Sequence, residues 1–191
     1  MMEKQFIIGL VGESGAGKDT VADYLKHRYD ATLLRFSDPL KKTLSMLVER
    51  PSREDQAWLA MALKNRFGKD VLFRMLSKQM VDSTLISLNG IRYREDLEFL
   101  RNFSNNVLIY VTSDPKLRWE RSTKRGEKSD DNVSFEEFMK LETTLETERA
   151  IVSLGKEAEY TVYNDSTLED LFEKVDDIMR EVLEKFENKK V

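Results

Sequence analysis

The sequence of 191 residues contains no cysteine, one histidine and three prolines. Without cysteine there can be no disulfide, thiolate nucleophile or cysteine-ligated metal, and we expect a reducing, cytoplasmic location. We expect the single histidine, His27, to be a solvated residue near a helix end rather than a catalytic one. No segment approaches the roughly 20 consecutive apolar residues of a membrane-spanning helix, so we expect no membrane partner.

The chain also lacks a strong charge of either sign. Its formal net charge is −4 and its pI is about 5.3. Strong basic character is typical of dedicated nucleic-acid binders, so we expect no nucleic-acid partner. The length and a hydrophobic content of 40% fit one domain over residues 1–191 with a sizeable core. The composition leaves open whether the protein is a monomer or a homodimer.

The most informative motif is a glycine-rich loop between an apolar strand, Gln5 to Val11, and a segment with helical spacing. A GxxxxGK loop in this context forms a phosphate cradle, because its glycines let backbone N–H groups converge and its lysine adds a cation. We therefore predict that the chain binds a nucleoside triphosphate. The predicted ligands are Gly12, Ser14, Gly15, Ala16, Gly17, Lys18, Asp19 and Thr20.

The rest of the chain alternates between strand and helix patterns, which predicts an α/β fold in three layers around a five-stranded parallel sheet. The later strands are predicted at Thr32–Phe36, Leu85–Leu88, Val107–Val111 and Tyr160–Tyr163. Residues 38–82 are predicted to form an all-helical insertion, longer than a plain crossover needs. This insertion is either a decorated crossover or a substrate-binding arm.

An arginine cluster follows the fourth predicted strand. Arg118, Arg121 and Arg125 are spaced so that all three can face one side of a helix. We interpret residues 118–133 as a lid in which Arg121 and Arg125 contact the transferring phosphoryl group. The alternative is a solvated basic face paired with acidic residues of the same segment.

Single residues near the predicted strand ends are candidates for acceptor binding. Arg92 follows the third strand and is our first candidate for a cation that binds the acceptor, with a salt bridge to Glu95 or Asp96 as the competing explanation. Arg35 on the second strand, pointing toward the insertion, is a second cation for the same phosphate. Asp38, followed by Pro39, is a predicted helix N-cap and a candidate substrate ligand.

Taken together, these segments resemble the P-loop small-molecule kinases: nucleoside and deoxynucleoside monophosphate kinases, dephospho-coenzyme A kinase, and adenylate kinase-like archaeal proteins. The resemblance covers nearly the whole chain, through residues 17–20, 36–41, 89–92, 118–131 and 163–165. It implies transfer of the γ-phosphoryl group of ATP to a small-molecule acceptor, with Mg²⁺ as cofactor. It also implies that Asn164 lies near the adenine.

Two positions depart from the pattern of these kinases. Asp19 stands where GK[ST] loops carry a metal-binding hydroxyl, which leaves Thr20 to hold the metal through water. Asn89 stands where the resemblance implies a carboxylate, and an amide contributes no charge to Mg²⁺. Our hypothesis is that Asp19 restores this charge or positions the attacking phosphate of the acceptor.

The sequence leaves three functions open. A monophosphate acceptor is already anionic and needs cations such as Arg35 and Arg92, which favours a monophosphate kinase. A dephospho-coenzyme A kinase acts on a hydroxyl, which would require a carboxylate base such as Asp38 or Asp19. The third possibility, a non-catalytic ATP-binding regulator, is suggested by Asn89.

Overall fold

The computed structural model describes residues 5–49, 53–80, 82–125, 133–144 and 146–188. The strands are β1 (Phe6–Val11), β2 (Thr32–Arg35), β3 (Leu85–Ile91), β4 (Asn106–Thr112) and β5 (Tyr160–Tyr163). The helices are α1 (Lys18–Tyr29), α2 (Asp38–Leu44), α3 (Arg53–Phe67), α4 (Val71–Ser77), α5 (Arg94–Arg101), α6 (Pro115–Arg125), α7 (Phe135–Thr144), α8 (Glu146–Gly155) and α9 (Leu168–Asn188).

The five strands form one sheet in the order β2-β3-β1-β4-β5, and every pair is parallel. This confirms the predicted α/β fold. All six residues of the central strand β1 are buried, as expected when helices cover both faces of a parallel sheet. Within the described part of the chain, no helix is both long and apolar enough to cross a membrane.

Successive side chains of β1 point to opposite faces of the sheet and build two separate cores. Ile8 and Leu10 pack into the first core, which includes residues of α1 and α9. Ile7 and Val11 pack into the second, which includes residues of α4, α5 and α8. The carboxyl ends of β1 and both its neighbours therefore meet at one well-supported edge.

The segment between β2 and β3 is helical, as predicted, and consists of α2, α3 and α4. It has a small core of its own, formed by Leu40, Leu44, Leu59, Val71 and Leu72. Large apolar side chains stay exposed on it, including Met46, Leu47, Trp58 and Met61. We call residues 38–80 the helical insertion.

The structure corrects two details of the predicted elements. Strand β3 continues through Asn89 and Gly90 to Ile91, because Asn89 pairs with Leu10 of β1 and with Arg35 of β2. Strand β4 is also longer than predicted, since it runs from Asn106 to Thr112 rather than from Val107 to Val111. Helix α7 begins with a capping box: Ser134 N–H donates to the Glu137 carboxylate at 3.1 Å, and Glu137 N–H donates to the Ser134 hydroxyl at 3.2 Å.

Candidate functional site

The glycine-rich loop, residues 12–17, joins β1 to the first turn of α1 at the carboxyl edge of the sheet. Gly17 has φ of 101°, and an added Cβ there would lie 2.4 Å from Asn164 Nδ2. Only glycine combines this left-handed backbone with so close an approach. The 12-residue helix that follows directs its positive end at the loop, which is the arrangement expected of a phosphate cradle.

Lys18 crosses this loop rather than extending into solvent. Its Nζ donates a hydrogen bond of 2.7 Å to the backbone carbonyl of Glu13. The ammonium group therefore lies at the mouth of the loop, at the positive end of α1. Ser14 in the loop and Thr20 in the first turn of α1 are half-buried.

Glu13 joins the loop to β4 through its side chain, and sequence reasoning did not single it out. Its side chain is 6% exposed; the carboxylate accepts hydrogen bonds from the Tyr110 hydroxyl and, at 3.4 Å, from Thr112 Oγ1. Burial, together with the hydrogen bond to Glu13, raises the pKa of Tyr110 to about 12. No motif joins residues 97 positions apart, so only the β1–β4 pairing brings these two together.

Asp19, Asn89 and Arg35 meet at the carboxyl ends of β2 and β3. Asn89 Nδ2 donates to Asp19 Oδ1 at 2.6 Å, and Arg35 Nη2 lies 3.5 Å from the same oxygen. The two departures from the kinase pattern are thus in direct contact. Arg35 turns toward the start of α1, which corrects the expectation that it points toward the insertion.

The charge of Asp19 is stabilised by these neighbours. Partial burial opposes ionisation, but the hydrogen bond from Asn89 and the positive charges of Arg35 and Lys18 outweigh it. The pKa of Asp19 is therefore lowered from its ordinary value of 3.8. The carboxylate is anionic at neutral pH, two-thirds of its side chain is exposed, and it is a weak base.

Asp38 does not act as the predicted N-cap. It is the first residue of α2, and its Oδ2 accepts a hydrogen bond of 2.9 Å from the backbone N–H of Arg35. The carboxylate thus closes the β2–α2 turn instead of capping the helix. This places it at the entrance to the insertion, close to the residue that contacts Asp19.

The side chain of Arg92 is exposed just beyond β3. Its backbone N–H, rather than its guanidinium, bonds to Asp96, at 3.0 Å. Within the described residues no salt bridge joins Arg92 to Glu95 or Asp96, so the competing explanation for this arginine is not met. Burial raises the pKa of Asp96, against the effect of hydrogen bonds from Arg92 and Tyr93 and the nearby charge of Lys64.

Arg121 and Asn164 lie on the β4–β5 side of the loop. Arg121 donates to Ser113 Oγ at 3.1 Å and to the backbone carbonyl of Asn164 at 2.9 Å. The Asn164 amide donates to the backbone carbonyl of Ala16 at 2.9 Å. Asn164 therefore stabilises the loop by a hydrogen bond to its backbone. Its position near a bound adenine stays a prediction.

Arg118 is more buried than Arg121. Its guanidinium is 5% exposed, forms a buried ion pair with Glu142 of α7, and donates to the Ser113 carbonyl at 2.9 Å. Burial disfavours its charge, but Glu142 outweighs this effect and raises the pKa of Arg118. Arg118 and Arg121 both donate to Ser113, but Arg118 is held by Glu142. The side chain of Arg125 and residues 126–132 of the predicted lid lie outside the described residues.

The protein oxygens near the loop suit Mg²⁺ better than a metal that needs a protein cage. Among the described residues, no group of three or more His, Cys, Asp or Glu side chains could hold a metal ion. Asp19, Thr20 and Asn89 offer carboxylate, hydroxyl and amide oxygens at one end of α1, and the Asn89 Oδ1 atom is buried without a hydrogen-bond partner. Mg²⁺ takes few protein ligands and keeps water and substrate phosphates, so these residues fit it.

Comparison with known proteins identifies the family. The chain is 30% identical over 179 residues to a UPF0200 protein of Pyrobaculum aerophilum, covering 92% of this chain and 98% of that one. A UPF0200 protein of Sulfurisphaera tokodaii is 29% identical over 177 residues, covering 93% and 97%. The chain belongs to the UPF0200 family. No protein-family model matches the chain.

Solved structures with a similar fold include a kinase. A protein called TT1252 from Thermus thermophilus superposes with a TM-score of 0.63 at 22% identity, covering 93% of this chain and 97% of that one. Shikimate kinase from Acinetobacter baumannii superposes with a TM-score of 0.60 at 18% identity, covering 96% of each chain. At these identities the likeness establishes the P-loop kinase-like fold.

Proposed function

We propose that this UPF0200 protein is an ATP-dependent kinase that transfers the γ-phosphoryl group to a nucleoside or deoxynucleoside monophosphate. The observation that carries the proposal is the meeting of two features at one sheet edge. A glycine-rich loop with Lys18 follows β1, while Arg35 and Arg92 stand at the ends of β2 and β3. Ligands of open parallel sheets bind at this edge.

The electrostatics of the site favour an acceptor that is already anionic. A hydroxyl acceptor needs a general base, and Asp19, with its lowered pKa, is a poor one. One oxygen of the other carboxylate, Asp38, is committed to the Arg35 N–H. A monophosphate needs cations instead, and the exposed guanidinium of Arg92 bonds no described acidic residue. Hydroxyl acceptors, including dephospho-coenzyme A and the shikimate of the kinases with similar structures, are therefore the second choice.

Each part of the site then has a role. The loop N–H groups and Lys18 hold the ATP phosphates, Arg121 stabilises charge on the transferring group, and Arg92, aided by Arg35, holds the acceptor. Arg125 is proposed to act with Arg121 when residues 118–133 close as a lid and exclude water. Mg²⁺, held near Thr20 and Asp19, would offset negative charge on the β- and γ-phosphates.

We also propose that the helical insertion is the acceptor-binding arm. Phe73 of α4 stacks on Phe99 of α5, with ring centroids 4.8 Å apart. The insertion therefore packs against the helix that begins two residues after Arg92. The exposed apolar residues of the insertion, such as Trp58 and Met61, are not needed for its small core.

The test is ADP production from Mg-ATP across a panel of ribo- and deoxynucleoside monophosphates, dephospho-coenzyme A and shikimate. We expect strong stimulation by at least one monophosphate. Stimulation only by a hydroxyl compound would reject the acceptor class, and tight ATP binding with no stimulation would favour the regulatory alternative.

Matched arginine variants localise the acceptor site. Arg92→Ala should raise KM for the acceptor about tenfold or more and leave KM for ATP nearly unchanged, because it removes one charged contact. The control is Arg94→Ala: Arg94 is two residues away but is paired with Glu157 at 2.6 Å on the surface. Equal effects of both variants would argue against a role for Arg92 in acceptor binding.

A further inference from the structure

We infer that Asp19 and Asn89 act as one carboxylate–amide pair that holds the hydrated Mg²⁺ of a bound nucleotide. Asp19 supplies the negative charge, and the amide oxygen of Asn89 accepts a hydrogen bond from a metal-bound water. This inference rests on the proposed function, since it requires a nucleotide in the loop. It assigns the role of a strand carboxylate to two residues that are 70 positions apart in the chain.

The direction of the hydrogen bond fixes which atom of Asn89 faces which way. An ionised carboxylate can only accept, so the amide nitrogen of Asn89 must face Asp19 Oδ1, at 2.6 Å. The amide oxygen is then directed elsewhere. Asn89 is 2% exposed, and its Oδ1 finds no donor among the described residues. A buried acceptor without a donor destabilises the fold, and a hydrogen bond from a metal-bound water would remove this penalty.

Asp19 presents a second open oxygen at the same place. Its Oδ1 receives both Asn89 and Arg35, whereas its Oδ2 accepts from no described residue. The side chain is 67% exposed and follows Lys18 directly in the chain. The protein therefore fixes one carboxylate oxygen and leaves the other free beside the residue that we expect to bind phosphate.

The contact also explains why position 89 carries an amide. Two carboxylates at this separation would repel each other, and one would have to bind a proton. One carboxylate and one amide avoid this repulsion and keep a single negative charge for the metal. The single negative charge should then support Mg²⁺ binding from either position 19 or position 89. A variant in which the two residues are exchanged should therefore keep the metal site.

The experiment measures ADP affinity by calorimetry with excess Mg²⁺ and with EDTA, so that no turnover is involved. For the wild type we expect Mg²⁺ to tighten ADP binding. Asp19→Asn should reduce this enhancement roughly 10- to 100-fold, or to the point where it vanishes, while metal-free ADP binding remains. The exchanged variant Asp19→Asn/Asn89→Asp should recover most of it. Asp23→Asn, an exposed carboxylate one turn along α1, controls for the loss of charge.

The outcomes separate this inference from the proposed function. If Mg²⁺ tightens ADP binding to Asp19→Asn as much as it does to Asp23→Asn, the inference is wrong. The proposal that the loop binds a nucleotide is then unaffected. If the exchanged variant binds metal-free ADP normally but shows no enhancement, the pair is not interchangeable and the inference is also wrong. If the wild type binds ADP in neither condition, the proposed function falls and the inference with it.

Discussion

The nucleotide-loop side of the molecule and the helical insertion are stabilised in different ways. Around the loop, buried polar contacts fix the backbone: Glu13 bonds to Tyr110, Asn164 bonds to the Ala16 carbonyl, and Arg118 pairs with Glu142. The insertion has a core of five buried residues and surface ion pairs such as Arg74–Asp70. Large apolar side chains such as Trp58 and Met61 are exposed on it.

This difference in stabilisation fits the function that we propose for each region. A phosphate cradle must hold its N–H groups in place before the ligand arrives, and buried hydrogen bonds joined to the main core do this. An acceptor arm must admit and release a substrate, which the small core around α2 and α3 allows, while Leu76 of α4 anchors the insertion in the second main core. The three predictions below test this contrast, beginning with the largest expected effect.

Removing the partner of Arg118 should cost far more than removing the partner of a surface arginine. Glu142→Gln removes the paired carboxylate of an arginine whose side chain is 5% exposed, so we expect a loss of about 3–5 kcal/mol in the free energy of unfolding. Asp70→Asn in the insertion breaks a pair whose side chains are more than half exposed, and should cost about 0.5 kcal/mol or less.

Urea denaturation of the two variants under the same conditions measures both losses. ADP binding should also weaken in Glu142→Gln, because the backbone carbonyl of Arg118 packs against Gly15, where an added Cβ would lie 2.4 Å away. Equal stability losses in the two variants would remove the contrast between the regions.

Alanine at two glycines with similar backbones should separate strain from function. Gly17 and Gly68 have φ of 101° and 97°, so either substitution should cost about 1–3 kcal/mol of stability through strain. Only Gly17→Ala also drives a Cβ to 2.4 Å from the buried Asn164 amide, whereas at Gly68 the nearest atom is the Asp70 carboxylate, at 3.0 Å. ADP affinity should therefore fall about 10- to 100-fold in Gly17→Ala and hardly change in Gly68→Ala.

Calorimetric ADP titration of both variants measures this difference. A Gly17→Ala protein that keeps wild-type ADP affinity would show that the loop tolerates displacement. A Gly68→Ala protein with a comparable loss would show that the insertion, too, controls the nucleotide site.

The parts of the site that the sequence predicts well are those encoded by adjacent residues. The loop and the start of α1 need glycines and a lysine within nine positions, and the predicted strand–loop–helix order is confirmed. The residues assigned there as ligands remain predictions, since no ligand contact tests them. The alternation of strands and helices was equally local, and it was enough to predict the fold class.

Contacts between elements that are distant in the chain could not be predicted from the sequence. Helical spacing placed Arg118 beside Arg121, but its partner Glu142 lies on another helix, 24 positions later. Asn89-Gly90-Ile91 has the composition of a loop, yet pairing with β1 extends β3 through it. The sequence suggested that Asp19 supplies the negative charge that Asn89 lacks. The hydrogen bond between the two residues depends on how α1 packs against β3, which the sequence did not predict.

The smallest effect concerns alkaline pH and the hydrogen bond between Tyr110 and Glu13. Burial and this bond raise the pKa of Tyr110 from 10.0 to about 12, so the folded protein keeps the hydroxyl proton over a range in which the unfolded chain loses it. The stabilisation is complete below pH 10 and is lost as the pH rises through about 12. The helical insertion has no tyrosine, so this loss belongs to the loop side. In Tyr110→Phe the phenyl ring is kept and the titrating proton is gone.

Urea denaturation of the wild type and Tyr110→Phe at several pH values from 9 to 12 measures the effect as a difference. The other tyrosines and the lysines titrate in both proteins and cancel. Wild type should be more stable at pH 9, because the variant leaves the buried Glu13 carboxylate short of a donor, and the gap should narrow steadily above pH 10. A gap that stays constant to pH 12 would mean that the hydroxyl is not held by Glu13. The buried contacts around the loop would then reduce to the Asn164 and Arg118 bonds, and the contrast with the insertion would rest on those two alone.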